Sequence, residues 1–260
     1  VKRVEGKVID VCLELEDGHI DRIRLENGRE IGGDLFIDCS GFSSLLIGKS
    51  LGTKFEAWSH LLPANRAVAV PSENVGKTKP YTQSIAHAAG WQWRIPLQHR
   101  TGNGLVFSDQ YMSEDEATHT LMSNLEGEAL ADPRVLRFKT GRRESAWQRN
   151  CIAVGLSAGF IEPLESTAIH MVQTMIARLL QLFPSDGFQQ ADIDEFNQQF
   201  CREYDMVRDF IILHYHLNQR SEPMWQAARE MEVPDSLTHK MNLFASHGRF
   251  FERQDDLFKK

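Results

Sequence analysis

The chain has 260 residues, of which 42% are apolar and 25% charged, a composition typical of globular proteins. Its 29 basic and 36 acidic residues give a formal net charge of −7, which argues against a nucleic-acid-binding protein because no net basic field attracts phosphates. No apolar run approaches the ~18 residues that would span a bilayer, so we expect no membrane partner. The first predicted element is a three-stranded meander over residues 8–15, 19–25 and 29–37, with turns at Asp17-Gly18 and Asn27-Gly28.

Further strands follow along the first part of the chain, and one helix interrupts them. The strands are predicted at residues 67–71, 81–88, 90–97, 104–108, 135–145 and 151–154. The helix is predicted at residues 113–124, because Ser113 followed three residues later by Glu116 is a capping-box pattern. The four cysteines have neither CxxC nor metal-ligand spacing, which indicates thiols in a reducing, cytoplasmic compartment.

The spacing of apolar residues becomes helical from Pro163 onward. A first helix is predicted to begin near Pro163, with apolar residues at Ile169, Val172, Ile176, Leu179, Leu180 and Phe183. A second carries Ile193, Phe196, Phe200, Tyr204, Val207 and Ile211 on one face, and shorter helices are predicted at 225–231 and 237–244. The fold class is therefore α+β or α/β, with a β-rich part over residues 1–160 and a mostly helical part over residues 161–260.

Three stretches have residue types that suit a ligand site. In DLFIDCSGFSS, residues 34–44, a strand is followed by small residues where the backbone can approach a ligand closely, although an ordinary turn explains the same pattern equally well. In NCIAVGLSAGFIEPLESTAIH, residues 150–170, a buried strand leads through small residues to a helix start. The unpaired N–H groups of such a start attract anions, whereas Glu165 alone could simply complement the helix dipole.

The third stretch is GWQWRIP, residues 90–96. At strand spacing, Trp91 and Trp93 point to the same face of the sheet, while Gln92 and Arg94 point to the other. Two adjacent indole rings make a rigid aromatic wall. For a lone WxW pattern, filling of the protein core would be the favoured interpretation.

Together and in this order, DCSGF, WQWRIP and GLSAGFIEPLESTAIH resemble the flavin-dependent halogenases, the family that includes the tryptophan halogenases. The family signature WxWxIP is matched by Trp91, Trp93, Ile95 and Pro96, and the resemblance places this strand near the flavin. A second, independent match is PLEST, which begins at Pro163. The resemblance covers nearly the whole chain and implies the β-rich remainder of an FAD-binding, monooxygenase-like domain followed by a helical substrate region.

The resemblance also implies an activity. In this family, reduced FAD from a separate flavin reductase reacts with O2 and a halide, chloride or bromide, to give hypohalous acid. A lysine then positions or carries the halogen, and an electron-rich aromatic substrate such as an indole or tryptophan is halogenated by electrophilic substitution. A related flavin monooxygenase and a truncated, non-catalytic halogenase-like protein are the alternatives, and homodimer formation is left open.

The resemblance assigns roles to individual residues. Glu165 corresponds to the catalytic glutamate, and the backbone N–H groups of Thr167 and Ala168 correspond to the halide site. The residues implied to line the flavin are Leu156, Pro163, Leu164 and Ile169. Those implied to contact the substrate are His214, Tyr215 and Trp225. Core packing of Tyr215 and Trp225, with His214 at the surface, is an equally good explanation. The two histidines at 214 and 216 have no nearby carboxylate cluster, so no metal site is predicted.

This sequence departs from the family pattern in two ways. Ala168 stands where many tryptophan-specific members have glycine, and its Cβ could alter the halide site. The sequence also contains no GxGxxG motif, and Lys77 and Lys79 do not match the essential lysine, since both features lie upstream in the family. The chain is therefore expected to be the C-terminal portion of a halogenase and to be inactive by itself.

Overall fold

The computed structural model describes residues 2–249 and 251, and they form two compact units that interleave along the sequence. The first unit contains the described residues up to 56 together with 141–160 and 167–205. The second contains 57–140, 161–166 and the described residues from 206 onward. The predicted division at residue 160 coincides with one passage between these units, and as a domain boundary it stays a prediction.

The first unit begins with the predicted meander. Strands β1 (Val8–Leu13), β2 (Ile20–Leu25) and β3 (Glu30–Gly32) form an antiparallel sheet in that order. The two turns contain Gly18 and Gly28 at φ +70° and +79°, which glycine adopts without steric cost. The predicted third strand over residues 29–37 is wrong in its extent. The chain leaves this sheet after Gly32, and β4 (Phe36–Asp38) pairs with a strand of another sheet.

Two further sheets complete the strands of the first unit. Strand β13 (Cys151–Ala153) lies between β12 (Trp147–Gln148) and β4, and it runs parallel to β4. Strand β11 (Gly141–Arg143) lies between β14 (Gly159–Phe160) and β5 (Phe55–Ala57). The single strand predicted over residues 135–145 is therefore wrong: the segment contains β10 (Arg134–Arg137) and β11, which belong to different sheets.

Two helices contribute to the first unit: α2 (Ala168–Gln181) and residues 190–205 of α3 (Gln190–His216). The predicted apolar face of α3 is confirmed, since Ile193, Phe196, Phe200, Tyr204, Val207 and Ile211 are all buried. The apolar residues of α2 behave differently. The helix buries Met171 and Met175, whereas Ile169, Ile176, Leu180 and Phe183 are exposed by 45 to 74%. The apolar spacing correctly predicted a helix here, but it did not identify the side that packs within this unit.

The second unit is built on a five-stranded antiparallel sheet with the strand order β10-β6-β9-β8-β7. Its strands other than β10 are β6 (Arg66–Ser72), β7 (Gln83–His87), β8 (Gly90–Pro96) and β9 (Thr101–Phe107). Helix α1 (Glu114–Ser123) packs on this sheet and buries Ala117 and Leu121 against it. The predicted capping box is present: the Ser113 hydroxyl accepts from the Glu116 N–H, and the Glu116 carboxylate accepts from the Ser113 N–H.

Two predicted short helices complete the second unit, α4 (Pro223–Glu230) and α5 (Asp235–His247). Helix α4 buries Met224, Trp225 and Ala228. Within the part of the chain that the structure describes, no helix is both long and apolar enough to cross a membrane. The mixture of sheets and helices confirms the predicted α+β class.

Candidate active site

The signature strand β8 places its two tryptophan rings side by side in the second unit. The ring centroids of Trp91 and Trp93 lie 6.1 Å apart, with 58° between the ring planes. In the neighbouring strand β9, Gly104 pairs with Trp93. A Cβ at Gly104 would lie only 2.0 Å from Cζ2 of Trp93, so this glycine leaves the space that the indole ring occupies. The prediction that both rings share one face agrees with this geometry.

Trp91 is 3% exposed, so its polar N–H group needs a partner within the protein. The partner is Glu162, whose Oε1 accepts the indole N–H at 2.9 Å. The same oxygen also accepts the hydroxyl of Tyr215 at 2.7 Å. We refer to Glu162, Trp91 and Tyr215 as the Glu162 hub. The hub joins β8, the C-terminal end of α3 and the loop that precedes Glu165.

A second pair of rings packs beside this hub. The Tyr215 and Trp225 rings are stacked, with centroids 5.4 Å apart and 20° between the planes. The indole N–H of Trp225 donates to the carbonyl oxygen of His87 at 2.7 Å. Tyr215 and Trp225 are 1% and 6% exposed, and the polar atoms of both side chains are occupied by these internal hydrogen bonds. The role implied for them as substrate contacts stays a prediction.

The loop that carries Glu165 differs from the predicted helix start. Residues Pro163–Glu165 form a single 3-10 turn, which ends because Ser166 adopts a left-handed conformation at φ +53°. Helix α2 begins only at Ala168. The prediction that Glu165 lies in the first turn of an α-helix beginning near Pro163 is therefore wrong. Its position results from the extended residue before proline and from the backbone reversal at Ser166.

The Glu165 side chain is 30% exposed and contacts a histidine of the same unit. Oε1 of Glu165 lies 3.0 Å from Nε2 of His214, whose side chain is 38% exposed. The other ring nitrogen of His214, Nδ1, lies 2.8 Å from the carbonyl oxygen of Phe210, one turn earlier in α3. The Phe210 ring packs edge-on against the imidazole, with the centroids 4.8 Å apart. The carbonyl oxygen and ring of Phe210 thus hold the His214 imidazole, whose Nε2 contacts the Glu165 carboxyl group.

These contacts also fix where a proton must lie. A carbonyl oxygen only accepts hydrogen bonds, so Nδ1 of His214 carries a hydrogen. The contact between Nε2 and Oε1 of Glu165 then holds one proton, whether it is bonded to the imidazole or to the carboxyl group. The arrangement can therefore accept a proton from an adjacent group or deliver one to it.

Glu162, three residues before Glu165, lies in a very different environment. It is 1% exposed, and this burial raises the pKa of its carboxyl group to about 7, although the hydrogen bonds from Tyr215 and Trp91 act in the opposite direction. Burial also raises the pKa of Tyr215 well above its ordinary value, and the neighbouring Glu162 adds to that shift. One short loop thus carries a buried acid and a partly exposed acid.

The residues assigned to the halide site lie at the start of α2 in the first unit. Thr167 is the N-cap residue and its side chain makes no capping hydrogen bond, while Ala168 is the first helical residue. The first N–H groups of a helix have no partner within the helix, so those of Ala168 and its successors can bind an anion. Ala168 is exposed and Thr167 is 7% exposed.

Two of the four side chains assigned to the flavin also lie in the first unit. Leu156 belongs to the 3-10 turn Gly155–Ser157, and Ile169 belongs to α2, which packs against that turn. Both are apolar yet exposed, by 40% and 74%, so covering either side chain with a largely apolar group would gain free energy. Pro163 and Leu164 are half-buried in the second unit, in the loop that carries Glu165.

The stretch DCSGF contains Asp38, which accepts several hydrogen bonds within the first unit. Asp38 is 1% exposed, and its Oδ2 accepts the N–H groups of Leu46 and Ile47 at 2.8 and 2.9 Å. Its Oδ1 accepts the N–H and hydroxyl of Ser40 at 2.9 and 2.6 Å. Asp38 thus anchors the π-helical segment Leu45–Ser50 to the end of β4. Among the described residues, no group of three or more His, Cys, Asp or Glu side chains could hold a metal ion.

Sequence reasoning missed the Glu162 hub. The residue pattern around Glu162 offered only one signal, an acid placed between the apolar Ile161 and a proline. Its two hydrogen-bond partners lie 71 and 53 residues away in sequence, and no local periodicity connects residues at such distances. The pairing of Glu165 with His214 was missed for the same reason.

Comparisons with known proteins find similar sequences and similar structures. The sequence profile of the tryptophan halogenase family matches residues 1–260. Tryptophan 6-halogenase ThaL from Streptomyces albogriseolus is 40% identical over 253 residues, which cover 94% of this chain and 47% of that protein. The structure is similar to Xcc4156, a flavin-dependent halogenase from Xanthomonas campestris, with a TM-score of 0.97 and 46% identity over 100% of this chain and 52% of that one.

A second solved structure is also similar to this chain. BrvH, a flavin-dependent halogenase from Brevundimonas sp. BAL3, has a TM-score of 0.96 and 48% identity over 99% of this chain and 53% of its own. The chain spans about half the length of the curated relatives it matches.

Proposed function

Because this chain belongs to the tryptophan halogenase family, we propose that it forms the substrate-halogenating part of a flavin-dependent halogenase. The proposed substrate is an electron-rich aromatic compound of the indole or tryptophan type, and the halide is chloride or bromide. This proposal rests on the named activities of the relatives and on one feature of the structure. Glu165, in the family motif PLEST, contacts His214, and the Glu165 side chain is 30% exposed.

The cofactor of this activity is FAD in its reduced form, supplied by a separate flavin reductase. When bound, it would reduce and activate O2, which is the oxidant that turns a halide into an electrophilic halogen. The exposed apolar side chains of Leu156 and Ile169 in the first unit support this assignment, and Pro163 and Leu164 are proposed as flavin contacts from the family motif alone. The location of Trp91, Trp93, Ile95 and Pro96 near the flavin stays part of the same proposal.

Glu165 has a defined chemical task in this proposal. Electrophilic substitution forms a carbon–halogen bond and releases a proton from the same ring carbon, so the site needs a proton acceptor beside the substrate. A carboxylate oxygen of Glu165 can accept that proton, and His214 holds this carboxyl group in a fixed direction. The N–H groups at Thr167 and Ala168 are proposed to bind the halide through the unpaired donors of the α2 N-terminus.

The test uses the complete enzyme, which we define as this chain joined to the part of a full-length relative that it does not cover. We expect Glu165→Gln to lower the kcat for halogenation by roughly 10²-fold, the usual scale for removal of a positioned acid–base group. Folding and halide oxidation should be retained, because Gln keeps the size of the side chain. Product mass with bromide, circular dichroism and a hypohalous acid assay measure the three properties.

The matched control is Glu230→Gln, which changes an exposed acid of α4 in the same unit. This variant should retain the wild-type rate. If Glu165→Gln also retained it, the proposed role of Glu165 would be wrong. An oxygenated product without halogen would instead support the monooxygenase alternative.

A further inference from the structure

The two oxygens of the Glu162 carboxyl group differ in their hydrogen bonding. Both of its hydrogen-bond donors, the indole N–H of Trp91 and the hydroxyl of Tyr215, contact the same oxygen, Oε1. The other oxygen, Oε2, is buried and has no hydrogen-bond partner among the described residues. A buried, unpaired carboxylate oxygen costs free energy, so Oε2 adds no stability, and Glu162 acts through the groups that Oε1 connects.

Those connections converge on the loop that carries Glu165. Two consecutive residues of α3 hold the two acids of this loop: Tyr215 donates to Glu162 at 2.7 Å, and His214 contacts Glu165 at 3.0 Å. The hydrogen bond from Trp91 to Glu162 also connects strand β8, which carries the WxW pattern, to this loop. A shift of Glu162 would therefore move both the first indole ring of the signature motif and the start of the turn that directs Glu165.

We propose that Glu162 is a positioning residue, which ties the WxW strand and the end of α3 to the loop and so fixes the direction of Glu165. Its effect on catalysis rests on the proposed function of Glu165. The hub itself does not depend on that function. In this role Glu162 transfers no proton to the substrate and acts only as the common acceptor for Trp91 and Tyr215.

The hub responds to pH in a definite direction. Tyr215 of α3 is the titratable group that faces Glu162, and β8 contributes the uncharged Trp91. Burial raises the pKa of Glu162 from about 4.5 to about 7, so the neutral acid is favoured in the folded chain below that pH. Above it, Oε1 becomes part of a charged carboxylate and accepts a stronger hydrogen bond from Trp91. Because Glu162 ionises more readily in the unfolded chain, the free energy of unfolding decreases as the pH rises from about 4.5 to about 7.

The first experiment uses the 260-residue chain itself. Its five tryptophans give five indole N–H resonances in a proton–nitrogen NMR spectrum, and that of Trp91 is assigned with Trp91→Phe. We expect the Trp91 resonance to move downfield with a midpoint near pH 7. Glu162→Gln should abolish this titration and keep the hydrogen-bonded shift, because the amide oxygen still accepts while the group cannot ionise. Glu165→Gln should leave the titration unchanged.

A Trp91 resonance that does not move between pH 5.5 and 8.5, or that moves equally in Glu162→Gln, would overturn the proposal. If the Gln variant does not fold, Tyr215→Phe is the second test. This change removes a hydrogen bond that lowers the pKa of Glu162, so the midpoint should shift to higher pH. An unchanged midpoint in that variant also contradicts the hub.

The second experiment measures halogenation by the complete enzyme. Glu162→Leu leaves two buried donors without an acceptor, and we expect kcat to fall by about 10- to 100-fold, the scale of a misplaced catalytic group. Glu162→Gln should restore most of this rate, since it keeps the acceptor. A Gln variant as slow as the Leu variant would mean that Glu162 acts as an acid or base and would overturn the positioning role. Wild-type rates for Glu165→Gln would refute the proposed function of Glu165 and leave the NMR result unaffected.

Discussion

At the scale of single residues, Glu165 and Glu162 show how environment separates two identical side chains. They are three residues apart in one loop, yet Glu165 is 30% exposed beside an imidazole while Glu162 is 1% exposed between an indole and a phenol. In the proposed function, the partly exposed acid accepts a proton from the substrate. The buried acid can only hold its neighbours. The family motif singled out Glu165, but nothing in the sequence predicted that Glu162 is buried between two aromatic partners.

His214 has the most direct influence on Glu165. We expect His214→Ala in the complete enzyme to lower kcat by about 10- to 100-fold, because the carboxyl group loses the partner that fixes its direction and shares its proton. The fold should survive, since the His214 side chain is 38% exposed. Halogenation kinetics with circular dichroism check both expectations.

The control for this variant is His239→Ala, which changes an exposed histidine of α5 in the same unit. This variant should retain the wild-type kcat. Equal rates for the two variants would mean that the contact between His214 and Glu165 has no part in catalysis.

At the scale of elements, the WxW strand depends on its neighbour for its shape. Strand β9 places Gly104 under the Trp93 ring, and a methyl group there would lie 2.0 Å from the ring atom Cζ2. The two aromatic rings of β8 can therefore lie side by side only because β9 has no side chain at this position. The same strand pair buries Leu105 and Val106, so the backbone has little freedom to move away.

This packing leads to a prediction for the Gly104→Ala variant of the 260-residue chain. The indole of Trp93 must move, so its NMR resonance and the near-ultraviolet circular dichroism of the chain should change. We expect a loss of about 1–3 kcal/mol in the free energy of unfolding, the usual cost of inserting a methyl group into a packed site. Urea denaturation measures this loss.

Gly102→Ala, two residues earlier in β9, is the matched control. A Cβ at Gly102 would come no closer than 3.8 Å to its neighbours, so this variant should keep the Trp93 resonance. An equal response of Trp93 in the two variants would contradict the steric explanation.

At the scale of the whole molecule, the chain corresponds to about half of each curated relative and contains no GxGxxG motif. The glycines of that motif allow the backbone to approach the pyrophosphate of a dinucleotide. We therefore expect the 260-residue chain alone, supplied with FADH2, O2 and bromide, to give no halogenated product and to bind FAD weakly. Mass spectrometry of the products and a fluorescence titration with FAD test this expectation, and robust bromination by the chain alone would contradict it.

The complete enzyme, as defined above, is the positive control for that experiment. It should brominate an indole substrate under the same conditions, with a flavin reductase present to supply FADH2. Chloride in place of bromide should change the mass of the product accordingly. Without halide, the product should disappear.

The sequence by itself indicated many of the elements and the family, although it did not predict the short strands β5, β12 and β14. Alternation and turn glycines predicted the meander and the strands of the large sheet, because these signals act between residues close in sequence. The capping box at Ser113 and the buried face of α3 were predicted for the same reason. Two motifs, WxWxIP and PLEST, identified the family, and the match over residues 1–260 confirmed it.

Only the tertiary structure decided how these parts meet. The extent of the third strand, the separation of β10 from β11 and the start of α2 depend on pairing and backbone reversal between segments, which local periodicity does not encode. The spacing of apolar residues in α2 predicted a helix but not which side of it is buried. The buried side depends on the neighbouring elements in the fold. Likewise, the partners of Glu162 and Glu165 lie dozens of residues away, and only folding brings an indole, a phenol and an imidazole to the two acids of one loop.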